Sequence, residues 1–201
     1  MEDRKILITL VLLVSLVIAS CYNDNKDDLF DVIIIPGDGS CEFTTVSYSA
    51  DPVMVDRSLK HLAWRYSKVP TRKYHILKIC LENKILATAV IRAREVYGLN
   101  SGFIVDFCVL DGPKAEQAGK YLLKSISKYF KRNKIDLIGC MMCKHTREYK
   151  LLKKAGFLTL PKRLLPHNNP VITRVNGELD NGSIINTLDN WFLTFGDYDV
   201  M

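Results

Sequence analysis

The chain of 201 residues lacks the patterns that staple small proteins or hold metals. Its six cysteines, at 21, 41, 80, 108, 140 and 143, make no short-spaced framework, which argues against a disulfide scaffold. The run "CMMC" (Cys140 to Cys143) has redox spacing but sits inside "IDLIGCMMC", which reads as a strand. Residues three apart on a strand point to opposite faces, so these thiols are not expected to pair. No second cysteine pair completes a zinc site, and His61, His75, His145 and His167 are scattered without ligand spacing, so no metal site is expected. Acidic charge is scarce after residue 52. Residues 1–52 carry three Lys/Arg against nine Asp/Glu, and the rest 25 against 13. Such a basic body suits anionic partners such as nucleotide phosphates, nucleic acid or lipid head groups, with a solvated lysine-rich surface as the plain alternative. The length suffices for one domain with a real core.

The N-terminus, "MEDRKILITLVLLVSLVIASC", sets Arg4 and Lys5 before a near-apolar run from Ile6 to Ala19. The run is too short to span a bilayer as a stable helix and right for a signal-peptide core. Its end, "VIASC", resembles the lipobox of bacterial lipoproteins. That resemblance implies removal of residues 1–20, a lipid on Cys21, and "YNDNKDD" as an acidic tether. A buried N-terminal strand or helix is the alternative. Residues 21–52 read as a tether with room for extra strands: Val32 to Ile35 is an apolar run closed by Pro-Gly-Asp-Gly, and "CEFTTVSYS" alternates.

From residue 53 the pattern predicts a helix over about Val55 to Tyr66 and a strand across "YHILKICLE". A hairpin signal at Glu82 and Asn83 leads into the strand "KILATAVIRAREVYG". A turn follows over Leu99 to Gly102, then "FIVDFCVL", apolar on both faces and so a buried strand. A helix from Pro113 to Lys131 has Leu122, Ile126, Tyr129 and Phe130 as its apolar stripe and Lys120, Lys124 and Lys128 on another face. Then come the strand "IDLIGCMMC", a helix "TREYKLLKKAG" closed by Gly156, and late strands "PVITRVN" and "NWFLTFGD". The class is mixed α/β (α+β type), a central mixed sheet flanked by helices, with antiparallel hairpins first and a β-α-β crossover in the middle.

Three places carry a resemblance. Two adjoining strands lead into the one ending "CVLDG". The turn and helix "KAEQAGKYLL" and the later "YKLLKKAGF" then follow. Over about residues 53–201 this is similar to the GNAT superfamily of acetyl-CoA-dependent N-acyltransferases. "LAWRYSKVP" and "WFLTFGDYD" also resemble acyltransferase-like proteins of bacterial surface-polysaccharide synthesis. The resemblance implies acetyl-CoA or another acyl-CoA as donor, an amine or amino-sugar acceptor, and no nucleic acid. Backbone amides of Cys108, Val109 and Leu110 would hold the donor and polarise its thioester. In the pyrophosphate loop Gly119 takes the last Gly/Ala place, Gln117 the first glycine place and Lys114 the Gln/Arg place, so one of three positions is intact. Lys114 and Lys120 supply charge, while Gln117 adds a side chain where the cofactor presses on the backbone. The family's tyrosine position falls on Leu152, leaving Tyr149, one turn earlier, as the proton donor to the thiolate.

Asp106 stands alone in an apolar strand, where an unpaired carboxylate is costly. It reads either as the catalytic carboxylate or as a structural partner of Arg92 or Arg94. Trp64, Arg65 and Tyr66 read as an acceptor site, or as two core aromatics beside a solvated arginine. Three functions stay open: an N-acyltransferase, a catalytically idle binding module of the same fold, and a cell-envelope lipoprotein. The N-terminal signal places the chain at the membrane; a mis-assigned start or a fusion would leave it cytoplasmic.

Overall fold

Three apolar segments in a row have lengths and turn chemistry that favour an antiparallel meander, and the computed structural model folds them so. It describes residues 53–55, 57, 59–69, 71–81, 84–161, 184–185 and 187–198, and the backbone of 31–36. Strands β3 (His75–Leu81), β4 (Lys84–Val96) and β5 (Leu99–Val109) pair antiparallel in sequence order. Helix α2 (Pro113–Arg132) then crosses over the sheet, and β6 (Leu137–Cys140) pairs parallel to β5, Ser101 with Leu137 through Ile104 with Cys140. The expected neighbours therefore lie side by side. The segment read as a tether contributes β1 (Asp31–Pro36), antiparallel to β3, so the sheet order is β1-β3-β4-β5-β6.

One face of the sheet carries Leu77, Ile79, Ile91, Ile104, Phe107 and Val109, buried under Ala118, Leu122, Ile126 and Phe130 of α2 and Leu151 and Leu152 of α3 (Arg147–Lys154). Each such side chain contributes about 1.5–3 kcal/mol by leaving water, so this layer dominates the fold's stability. The other face holds Ile76, Val90 and Val105, with Tyr74 just before β3, covered by Phe195, by Leu62 of α1 (Leu59–Leu62) and by Tyr66 of the π-helical turn that continues it, Ala63–Ser67. A second, two-stranded parallel sheet joins β2 (Val53–Met54) to β7 (Trp191–Phe192).

Several expectations need correction. The predicted turn at Leu99–Gly102 is strand; the chain reverses at Tyr97 and Gly98, both at positive φ (52° and 78°), the two-residue hairpin geometry. Gly102 is there for close approach instead, since a Cβ would lie 2.8 Å from the Phe130 ring. The predicted helix over Val55 to Tyr66 starts only at Leu59 and runs on as the π-helical turn to Ser67; Val55 and Arg57 lie outside it, with Arg57 donating to the Val55 carbonyl. The sixth strand ends at Cys140, and only Met142 of the remaining run bridges, to Thr194. "NWFLTFGD" is strand only at Trp191–Phe192, with the single bridge at Thr194 beyond it, because the reciprocal Thr194–Asp197 cap turns the chain into a 3-10 helix. The signal segment, Cys21, "CEFTTVSYS" and "PVITRVN" lie outside the described residues. Among the described residues, no helix is long and apolar enough to cross a membrane.

Candidate functional site at the parted strands

Strand β5 outruns its parallel neighbour. Pairing with β6 stops at Ile104–Cys140, while β5 continues to Val109. Opposite Val90 and Ile91 of β4 the register slips by one, which leaves Val105 as the extra residue of a β-bulge. The bulge resets the alternation, so Val105 and Asp106 both face the α1 side while Phe107 and Val109 face α2. It also fixes the backbone. The Leu110 amide donates to the Leu86 carbonyl at 2.9 Å, on the β4 side. Amides alternate along a strand, so those of Phe107 and Val109 point to the edge that β6 has vacated.

Both edge amides meet carboxylates. Phe107 N donates to Oδ1 of Asp106 at 3.1 Å, and Val109 N to Oε1 of Glu148 at 3.0 Å. A buried amide without a partner costs about 1–3 kcal/mol, and two side chains here do what carbonyls of a longer β6 would do. Glu148 comes from the first turn of α3, capped by Thr146, and is 1% exposed. Burial pushes its pKa up, against the opposing pull of its own amide, the Val109 amide and Arg147.

Asp106 is paired, though not with the arginines expected. Its Oδ2 lies 3.2 Å from Nε of Arg57 and accepts from the Tyr66 hydroxyl at 3.4 Å. Arg57 also reaches Oδ2 of Asp197 at 3.0 Å, the Thr194 hydroxyl at 3.3 Å and the Val55 carbonyl at 2.9 Å. Arg92 and Arg94 sit further along β4, opposite Phe103 and Ser101. There they stack on Tyr74 and Phe103, at 5.7 and 5.8 Å. Burial raises the pKa of Tyr66 well above the usual tyrosine range, and the Asp106 carboxylate adds to it. Burial likewise pushes the Cys140 thiol up to about 12, which disfavours the thiolate.

The turn after β5 positions the remaining residues. Gly112, at φ 112°, caps α2 without a side-chain cap, and Pro113 takes its first position. Lys114 and Gln117 are exposed beside it. Lys120 is ion-paired with Glu116 at 3.0 Å, as is Lys154 at 3.3 Å, and together they hold the Glu116 carboxyl below its ordinary range. Gly119 faces inward: a Cβ there would lie 2.9 Å from both Leu151 Cδ1 and Val109 Cγ2, so this glycine lets α2 approach β5 and α3. Arg147 donates to the Leu110 carbonyl at 2.6 Å and pairs with Asp111, while its buried Nε has no partner among the described residues.

The structure gathers Cys108, Val109, Leu110 and Lys114 around one strand end, with the Cys108 thiol 3.6 Å from Asp106 Oδ1, but of the three expected amides only that of Val109 faces the vacated edge: the Leu110 amide is taken by Leu86 and that of Cys108 lies on the same β4 side. It does not bring Tyr149 into contact with Asp106. The Tyr149 hydroxyl is 2.7 Å from that of Thr159, and Leu152 is core. The acceptor triplet separates: Trp64 is 59% exposed beside His61, and Tyr66 is buried. Arg65 bonds the carbonyls of Gly196 and Tyr198. Sequence reasoning missed Arg57 and Glu148. An arginine inside an apparent helix carries no signal, and an acidic residue in a helix's first turn looks like ordinary dipole compensation.

No family model matches the chain, and no curated protein matches it. Among solved structures it is similar to an aminoglycoside acetyltransferase from an uncultured soil metagenomic sample, in complex with sisomicin. Identity is 12%, the alignment covers 73% of this chain and 99% of that one, and the TM-score is 0.48. A mutant protein of Bacillus halodurans is 18% identical over 57% of this chain and 74% of its own, with a TM-score of 0.43. A second aminoglycoside acetyltransferase from a soil metagenome is 8% identical over 61% and 77%, with a TM-score of 0.38.

Proposed function

We propose that the chain is an N-acyltransferase that moves an acyl group from a coenzyme A thioester to an amine or amino-sugar acceptor. The observation that carries this is the parting of β5 from its parallel neighbour beside the exposed, uncapped start of α2. An uncapped helix start leaves backbone N–H groups and a positive dipole end for an anion. The chemistry fits the phosphate end of such a donor. A Cβ at Gly112 would meet nothing within 4 Å, Lys114 is exposed, and Arg147 reaches the same turn. It does not fit the thioester arm as the side chains stand, because both edge amides are capped by carboxylates.

The bound donor would supply an activated acyl carbon. The chain's own part is to hold the phosphates at Gly112, Lys114 and Arg147 and to keep the end of β5 rigid. Arg57 contributes by fixing Asp106, and through it the Phe107 amide. The capped edge favours a second reading, a binding module of this fold without turnover. Calorimetry with coenzyme A and a thiol-release assay with acetyl-CoA and a panel of amino sugars test the two together. Binding with turnover supports the transferase, and binding without turnover supports the module. Absence of binding removes both.

The reading of Cys21 as a lipid anchor stands beside this as a separate proposal, supported by Arg4, Lys5 and "VIASC". Labelled palmitate incorporated in a bacterial host and lost in Cys21→Ser is the expected result.

A further inference from the structure

The carboxyl groups on the edge of β5 are not equivalent. Asp106 caps the amide of the next residue on its own strand, and Arg57 and Tyr66 hold it from below. Glu148 reaches Val109 from another element, 39 residues away. A peptide carbonyl of a longer β6 in that place would be fixed by the strand. A glutamate has three side-chain torsions, so releasing the amide needs only a side-chain rotation and leaves the sheet intact. Its helix has other anchors, since Leu151 and Leu152 pack in the core and Thr146 caps the start.

We propose that Glu148 closes the donor seat: its carboxyl group holds the Val109 amide until the pantetheine arm of the coenzyme, with or without its acyl group, takes that amide over, and it thereby sets donor affinity. This rests on the acyltransferase reading. It adds a competitor, built into the chain, at the amide the donor needs. The neighbouring bond from Arg147 to the Leu110 carbonyl keeps the strand end in place while Glu148 moves.

Titration calorimetry with coenzyme A tests it on wild type, Glu148→Ala and Glu148→Gln. The alanine variant should bind about five- to tenfold tighter, the equivalent of one hydrogen bond that no longer has to be broken. The glutamine variant still presents an oxygen to the amide and should stay within about twofold of wild type. An alanine variant that binds no tighter overturns the proposal and leaves the acyltransferase reading intact. If neither variant nor wild type binds coenzyme A, both fall. A second measurement needs no variant: the Val109 amide resonance of the wild-type chain, followed by NMR as coenzyme A is added. It should shift together with the Lys114 amide. A Lys114 shift at saturation with Val109 unmoved would mean that the donor sits without displacing Glu148, and would overturn the proposal.

Discussion

Arg57 Nε lies 3.2 Å from Asp106 Oδ2, with both side chains about 7% exposed, and the same guanidinium holds Asp197 at 3.0 Å. One cation thus ties the bulged strand to the C-terminal segment beneath the sheet. Removing it leaves two buried carboxylates facing one another. Arg57→Ala should therefore cost about 3–5 kcal/mol, the range for breaking a buried pair from one side. Asp106→Asn should cost less, about 1–3 kcal/mol, because Arg57 keeps Asp197 and the asparagine oxygen still faces the Phe107 amide. Urea unfolding of both variants checks the order. A smaller loss in Arg57→Ala than in Asp106→Asn would show that the guanidinium is not the centre of this network.

Tyr149 is expected to matter little. Its hydroxyl serves Thr159 in an exposed hydrogen bond and points to the chain after α3. Tyr149→Phe should shift stability by no more than about 0.5 kcal/mol and leave any acyl transfer close to wild type. Parallel melting and thiol-release measurements decide this. A large loss of turnover with an unchanged melting temperature would return the hydroxyl to the chemistry.

Gly102 offers a test of packing. A Cβ would press on three atoms of the Phe130 ring, at 2.8 to 3.0 Å. Gly102→Ala should destabilise by about 1–3 kcal/mol as an overpacked site. Combining it with Phe130→Leu should cost less than the sum of the two single changes, by at least about 0.5 kcal/mol. Strict additivity in urea midpoints would mean that the ring is not what the glycine accommodates.

How far the sequence disclosed this arrangement depended on the range of the interaction. The helix from Pro113 was readable because Leu122, Ile126 and Phe130 repeat at helical spacing, and they are buried together. Asp106 stood out because a charge in an apolar strand must have a partner, and it has one. The partner was not readable, since Arg57 is 49 residues away and nothing local marks it. Gly102 was misread because a glycine that makes room for a ring and one that turns a chain look alike in sequence. The true turn used Tyr97 at φ 52°, where a tyrosine gives no warning. Glu148 was hidden by its place in a helix's first turn, and the vacated edge it fills exists only once β6 has proved too short.

The pH dependence of stability follows from Glu148. Burial raises its pKa above the ordinary value of 4.5, with the nearby Asp106 carboxylate adding to the effect and the Val109 amide and Arg147 opposing it. Below 4.5 the carboxyl is protonated folded and unfolded alike, and titration costs nothing. Above 4.5 the unfolded chain ionises first. The folded chain keeps its proton until its own higher pKa is passed, so stability falls as pH rises through that window and then levels off. Glu148→Gln has no proton to lose there and can accept the same bond from Val109. Its stability relative to wild type should therefore increase from pH 4.5 upward and reach a plateau. Asp197, also raised chiefly by burial, contributes a similar slope to both proteins and cancels in the comparison. Urea midpoints for the pair from pH 4.5 to 8 provide the measurement. A gap that narrows as pH rises would mean that Glu148 is held ionised, more firmly bound to Val109 than its burial implies.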